Sequence, residues 1–284
     1  MTDWNGVGLP PVADQRVRRA AAGGPWTSLL SAPAAAGLRV AGLAPVGEVM
    51  GSIVQQISLM GVSCGSYLPG GGQWLSTSRG VGPYLDALNR GYATALDRLT
   101  QEATAIGADG VVGITLATEP LAGATEFTAL GTAVRARGTQ RAGRMFTTAL
   151  SGQDVAKLMT SGWMPVRLVY GVSVAIRHDD WQTRRQASWG AGNTEIAGYT
   201  QLVNHTRADA RVRLAKRVRA TGADGTIVSS MGLRMWSVEP SDNHRDHVAQ
   251  ASVFGTAIAR FATTGPAPAA RPLTFLPLQH RSTS

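Results

Sequence analysis

One stretch of this chain is spelled out twice, 120 residues apart. Trp26-Thr27-Ser28-Leu29-Leu30-Ser31 returns as Phe146-Thr147-Thr148-Ala149-Leu150-Ser151, and Gly42, Pro45, Val46, Val49 and Gly51 return as Gly162, Pro165, Val166, Val169 and Gly171. The separation then narrows to 115. There Tyr84, Asn89, Ala95, Arg98, Leu99 and Gly107-Ala108-Asp109-Gly110 meet Tyr199, Asn204, Ala210, Arg213, Leu214 and Gly222-Ala223-Asp224-Gly225. At 124 residues, Gly131-Thr132-Ala133-Val134 meets Gly255-Thr256-Ala257-Ile258. Anchors that keep their order, with offsets changing only across loop-like stretches, describe two copies of one fold with different loop lengths. What repeats is glycine, proline and apolar residues, which specify a shape. Little that could do chemistry repeats.

The 284 residues suffice for two units of roughly 100 residues each plus tails. With 44% hydrophobic residues, both copies can bury a core. No apolar run approaches the ~20 residues of a membrane span. Met1 to Pro11 has no charged segment followed by an apolar stretch, so no secretory leader is expected. Cys64 is the only cysteine, which excludes an internal disulfide and a cysteine-cluster metal site. A cytoplasmic location is the expectation. The net charge of +9 is uneven: Arg207, Arg211, Arg213, Lys216, Arg217 and Arg219 crowd one helical stretch, whose twin carries the cancelling set Arg90, Asp97, Arg98 and Glu102. Such a face can attract nucleic acid or an acidic protein; a solvated, arginine-rich helix face is the plainer reading.

Residues 1–25 read as a flexible or loosely docked basic arm. The first domain is expected over 26–137, a linker over 138–145, the second domain over 146–263 and a mobile Pro-rich tail over 264–284. Ser31 and Ser151 open short helices, Asp154 completing a capping-box variant, and Gly42 and Gly162 close them in the left-handed conformation. Strands follow at Pro45–Val54 and Pro165–Ile176, where Gly51 and Gly171 suggest a bulge or a close backbone approach. A Gly-rich loop is expected over 61–82, and a polar stretch over Arg177–Gly192. Leu85, Leu88, Tyr92, Ala95, Leu96, Leu99, Ala103 and Ile106 form the stripe of a long amphipathic helix; Ile196–Ala220 is its weaker twin. Each copy closes with a hairpin: Val111–Thr118 with Thr125–Ala136 around Pro120 and Gly123, and Thr226–Val238 with His247–Phe261 around a longer loop, Glu239–His244. The fold class is therefore α+β: two tandem β-α-β-β units, each an antiparallel sheet with a long amphipathic helix, preceded by a short helix.

The run from Glu48-Val49-Met50-Gly51 through Ala95-Leu96-Asp97-Arg98-Leu99, Gly107-Ala108-Asp109-Gly110-Val111 and Gly131-Thr132-Ala133-Val134 resembles the YbjQ family, whose common label is heavy-metal binding. The second copy keeps Gly171, Gly222-Ala223-Asp224-Gly225 and Gly255-Thr256-Ala257-Ile258 around a degraded middle. The resemblance implies a dodecin-like β-α-β-β unit that assembles into a ring, typically a pentamer. It implies no reaction, and it carries no metal ligands onto this chain.

Clustered metal ligands occur only at Asp242, His244, Asp246 and His247. His244 and His247, three apart, could share a divalent or heavy-metal ion with a carboxylate. The loop has no counterpart in the first copy, however, and Asp, Asn, His and Pro are ordinary turn residues. Cys64, with Ser63 and Ser66 near it, reads as an inert thiol. No Gly-x-Ser-x-Gly elbow is present, and Pro69-Gly70-Gly71-Gly72 is not followed by the Lys-Ser/Thr of a phosphate loop. Asp109 and Asp224 suit bonds to backbone amides after the helix; Tyr84/Tyr199 and Asn89/Asn204 read as packing or subunit contacts. The arginine-rich helix lacks the interleaved aromatics of a single-strand platform, leaving only a sequence-blind nucleic-acid contact. No catalytic, cofactor-binding or metal residue is assigned. The chain is expected to be a non-enzymatic, ring-forming homo-oligomer acting as a scaffold or binding module, with a metal or small-ligand carrier at subunit interfaces as the rival.

Overall fold

Ser31 and Ser151 each adopt extended backbone, and their hydroxyls accept from the amides of Ala34 and Asp154, three residues on. These caps start the helices α2 (Ala32–Val40) and α4 (Gly152–Thr160), which follow α1 (Pro11–Ala21) in the list of short helices. Gly42 (φ 75°) and Gly162 (φ 80°) reverse the chain at their ends. The remaining elements are β1 (Leu43–Gln55), β2 (Trp74–Ser76), α3 (Gly82–Ala105), β3 (Gly110–Leu121), β4 (Ala124–Ala136), β5 (Phe146–Thr147), β6 (Trp163–His178), α5 (Trp181–Gln186), α6 (Ala197–Ala220), β7 (Gly225–Ser241) and β8 (His244–Arg260). The computed structural model describes residues 4–6, 8–22, 27–57, 74–76, 81–138, 143–241 and 244–261.

The strands form two four-stranded sheets, ordered β1-β4-β3-β5 and β2-β6-β8-β7. Every pairing is antiparallel except β3 with β5. The two units repeat each other in detail. β1 pairs with β4 through an irregularity at Pro45/Gly47, and β6 pairs with β8 through one at Pro165/Arg167. Gly107 and Gly222 both turn at φ 71°. Asp109 Oδ2 accepts from Ala136 N and Asp224 Oδ2 from Arg260 N, each at 2.8 Å, so both aspartates tie the helix exit to the end of the closing strand.

The layers run sheet one, α3, sheet two, α6. β6 explains the order, because both its faces are buried and its side chains alternate. Leu168, Tyr170, Val172, Val174 and Ile176 join the core around α3. Val169 packs with Ala210, Leu214 and Val218 of α6, and Ala175 with Leu202. α3 is therefore covered from two sides and α6 from one. Gly51 and Gly171 are where each long helix meets its sheet: a Cβ at either would lie 2.0 Å from a helix carbonyl, Ala95 O or Ala210 O. Close approach is the reason for these glycines; the bulges lie elsewhere.

Three expectations are corrected. The N-terminal arm is not loosely docked: Pro11 starts α1, Ala13 and Val17 are buried one turn apart, and Arg16 pairs with buried Glu102. The Gly-rich stretch contains a strand, β2, which pairs through Trp74↔Arg177. The loop after Glu239 is shorter than expected, since the hairpin continues to Ser241↔His244. Cys64, Pro69–Gly72, Asp242 and the 264–284 tail lie outside the described residues.

Candidate functional site

Sheet edges are where the two units part company. In sheet one, the free edge of β3 is covered from within the chain. Phe146 and Thr147 add as β5 against Gly110 and Val111. Thr148 N donates to Val111 O (2.9 Å), Ile114 N to Thr148 O (3.0 Å) and Gly113 N to Leu150 O (2.9 Å). At the other edge, α3 reaches round β1: Met50 N donates to Glu102 Oε2 at 2.8 Å, and Arg98 donates to Ser52 O. Burial, the largest influence, raises the Glu102 carboxyl above its ordinary pKa, against the hydrogen bond from Met50 and the charge of Arg16.

β7 has no such cover. It is 17 residues long, forms the last strand of its sheet, and bonds only to β8 among the described residues. Residues 228–235 are exposed on both faces, including Val228 (49%), Met231 (56%), Leu233 (38%) and Met235 (41%). These four apolar side chains share the face toward α6, by their register with residues 249–255 of β8, and a long, bare edge with exposed apolar side chains is a template for another strand.

A buried polar cluster sits at the other end of sheet two. β6 ends in Arg177-His178, and Asp179-Asp180 lead into α5, facing Asp246 and His247 on β8 through the register His178↔Asp246. His178 Nδ1 pairs with Asp246 Oδ1 at 2.8 Å. His247 Nε2 lies 3.0 Å from Asp179 Oδ2 and 2.8 Å from Tyr199 Oη. The Asp179 carboxylate, which can only accept, assigns the proton to Nε2 of His247. Burial, and then Asp179, raise the Tyr199 phenol pKa. Arg177 binds Asp180 Oδ2 (2.7 Å), and Gly198 leaves room for it, since a Cβ there would lie 2.7 Å from Arg177 Nε. Asp180 also caps α5 through the Thr183 amide. The signal that could have found this cluster is the charged run Arg-His-Asp-Asp ending an apolar strand.

Of the candidate metal ligands weighed and left unassigned from the sequence, Asp246 and His247 lie in a strand and point to opposite partners. Adjacent strand residues alternate faces, so the two cannot converge on one ion. Tyr84 Oη donates to Gln250 Oε1 (3.0 Å) across the two units, and Asn89 Oδ1 accepts from Arg217 (2.9 Å), so the first-copy pair are packing contacts; Asn204 is exposed. Arg217 also donates to Tyr170 O (2.7 Å) and stacks 3.7 Å from that ring. Arg213 pairs with Asp209, while Arg207, Arg211, Lys216 and Arg219 stay exposed. An open cleft of about 560 Å³ lies between α3, α6 and the β6 edge, lined by Leu96, Asp97, Thr147, Arg167, Tyr170 and Arg217. Its mixed walls present no converging acid–base pair.

The model of a family described as "Putative heavy-metal-binding" (YbjQ) matches residues 46–137. The chain is also 30% identical, over 287 residues, to the encapsulin nanocompartment protein Rv1762c of Mycobacterium tuberculosis, covering 95% of this chain and 97% of that protein. The chain belongs to the YbjQ family. The YbjQ match ends before α4, so it covers the first unit alone. The family's metal label does not fit these residues. Residues 46–137 contain no histidine and one cysteine, and among the described residues no three His, Cys, Asp or Glu side chains could hold an ion. The two histidine–aspartate contacts instead occupy one another. No helix among the described residues is long and apolar enough to cross a membrane.

Proposed function

We propose that this chain is a non-enzymatic, cytoplasmic building block that self-associates into a closed ring and serves a protein nanocompartment as scaffold or binding module. On this reading the second unit is a diverged YbjQ copy. The observation that carries it is β7, a long edge strand whose residues 228–235 are exposed while the equivalent edge of the first unit is covered. Exposed apolar strand edges drive association, and rotational closure hides them without leaving a new free end. The nanocompartment role rests on the name of the Mycobacterium tuberculosis relative. Light scattering of the full chain tests the proposal: a mass several times 29.7 kDa is expected, and a monomer at micromolar concentration overturns it.

A further inference from the structure

Inside the chain, the second unit docks on the first through the strand that opens it. Residues 146–150 lie on their own unit, with Ala149 N donating to Thr256 Oγ1 (3.2 Å) and Leu150 N to Thr148 Oγ1 (3.0 Å), while their other edge pairs with β3. The first unit opens with the equivalent segment, residues 27–31, held in the same way. Leu29 N donates to Thr132 Oγ1 (3.1 Å) and Leu30 N to Ser28 Oγ (3.1 Å). Leu29 is half exposed, and among the described residues no strand pairs with 27–31. Among the described residues, one chain thus carries both an unpaired copy of the inserting segment and, on β7, an unpaired copy of the receiving edge.

Side chains at the two places match in kind. Gly110 is glycine because the Phe146 ring covers it; a Cβ there would lie 2.2 Å from that ring. Gly225, its twin, has nothing nearer than 3.8 Å among the described residues, none of which demands glycine there. The residue aligned with Phe146 is Trp26, another large ring. Ala149 shares a small pocket with Ile114 and Leu116, and the aligned positions carry Leu29, Ser229 and Met231, a larger inserting side chain with a smaller wall.

We infer that a second copy of this chain is the occupant of β7, adding its residues 27–31 in parallel to the edge with Thr27 against Thr226, as Thr147 lies against Val111. The contact is heterologous, one copy's second unit receiving the next copy's first unit, and it gives the assembly proposed above its direction and register. The flanking layers agree in charge. The sheet-two face on α3 has Tyr170, Gln250 and Phe254; its sheet-one twins are Met50, Glu126 and Leu130, with Glu48 and Glu119 on the same face. The helix surface awaiting that acidic face is the exposed Arg207 and Arg211 of α6.

Two experiments on the full chain test this contact, which rests on the self-association reading. In a Cys64→Ser background, Thr27→Cys with Thr226→Cys should give a disulfide ladder of multimers under oxidation, and either cysteine alone should give none. Gly225→Ala should keep the wild-type far-ultraviolet circular dichroism spectrum yet self-associate at least tenfold more weakly. Multimers that form without the ladder, and that Gly225→Ala leaves intact, overturn the contact and spare the assembly reading. A chain that is monomeric throughout overturns both.

Discussion

Gly171→Ala isolates the packing step that organises the second unit. An added Cβ would stand 2.0 Å from Ala210 O and 2.7 Å from Leu214 N, both backbone atoms in the middle of α6. Neither can rotate away, so the helix must lift by roughly 1.4 Å to restore an ordinary contact. A radial gap of ~0.5–1 Å already forfeits a quarter to a half of the attraction between facing atoms. The facing set is Val169, Leu202, Ala210, Leu214, Val218, Ala251 and Val253, all buried. Losing about a third of the burial free energy of such side chains costs about 3–4 kcal/mol, less a few tenths regained from the better strand propensity of alanine. Against a total stability of ~5–15 kcal/mol this is a large fraction. Urea unfolding followed by far-ultraviolet circular dichroism, at one fixed protein concentration, should show a midpoint lowered by about 1 M or more with the slope retained. Gly51→Ala should match it, because its Cβ meets Ala95 O at the same 2.0 Å. A Gly171→Ala chain within about 0.5 kcal/mol of wild type would refute the reasoning, since that is the range of a surface substitution.

Glu102→Gln probes the buried carboxyl at the β1 edge. Its folded pKa is raised, so the stability it contributes is full below the ordinary carboxylate pKa and is lost as pH rises through the folded value. Wild type should therefore lose stability relative to Glu102→Gln across that window, by up to about 1.36 kcal/mol per pH unit, and urea midpoints from pH 4 to 8 that run parallel would contradict this. The two turn aspartates should separate by burial: Asp109→Ala, buried, should cost about 2 kcal/mol, and Asp224→Ala, exposed, less than about 1. Thermal unfolding of the two variants decides it, and equal losses would show that burial does not set the difference.

The shape of each unit was legible because shape is what the repeat spells. Gly42, Gly107, Gly162 and Gly222 mark left-handed turns, and Gly51 and Gly171 mark helix approach, each for a local reason readable from position. The stripe Leu85, Leu88, Tyr92, Leu99 gave the long helix within three residues of its observed start. What was not legible depends on contacts distant in the chain. α1 is held by Ala13, Val17 and Arg16 against a helix some 85 residues on, and its buried stripe is only two residues long within a run of Gly, Pro, Ala and Arg. β2 needs the edge of β6 to exist at all. Asp246 and His247 looked like loop ligands because Pro240, Asp242 and Asn243 precede them. The hairpin register carries the strand back to His244, and strand alternation then sends the two side chains to His178 and to Asp179 with Tyr199.

The difference between the long helices follows from where each junction lies. α3 is sandwiched, so Tyr92 and Leu96 stay apolar, and Tyr92 meets Phe127, Tyr170 and Phe254 at ring separations of 5.0–5.4 Å. That junction lies within one chain and never has to dissolve. On the assembly proposed above, its twin surface on α6 has to remain soluble until another copy covers it, and Tyr92 is there replaced by Arg207 and Leu96 by Arg211. Charge in place of apolar area keeps the free chain from collapsing onto wrong partners, and it transfers part of the attraction to Glu48, Glu119 and Glu126 on the opposing face. A junction built this way must weaken with salt, since exposed charges are screened within about 8–10 Å at physiological ionic strength. The junction between the units of one chain, built on aromatic contact, must not.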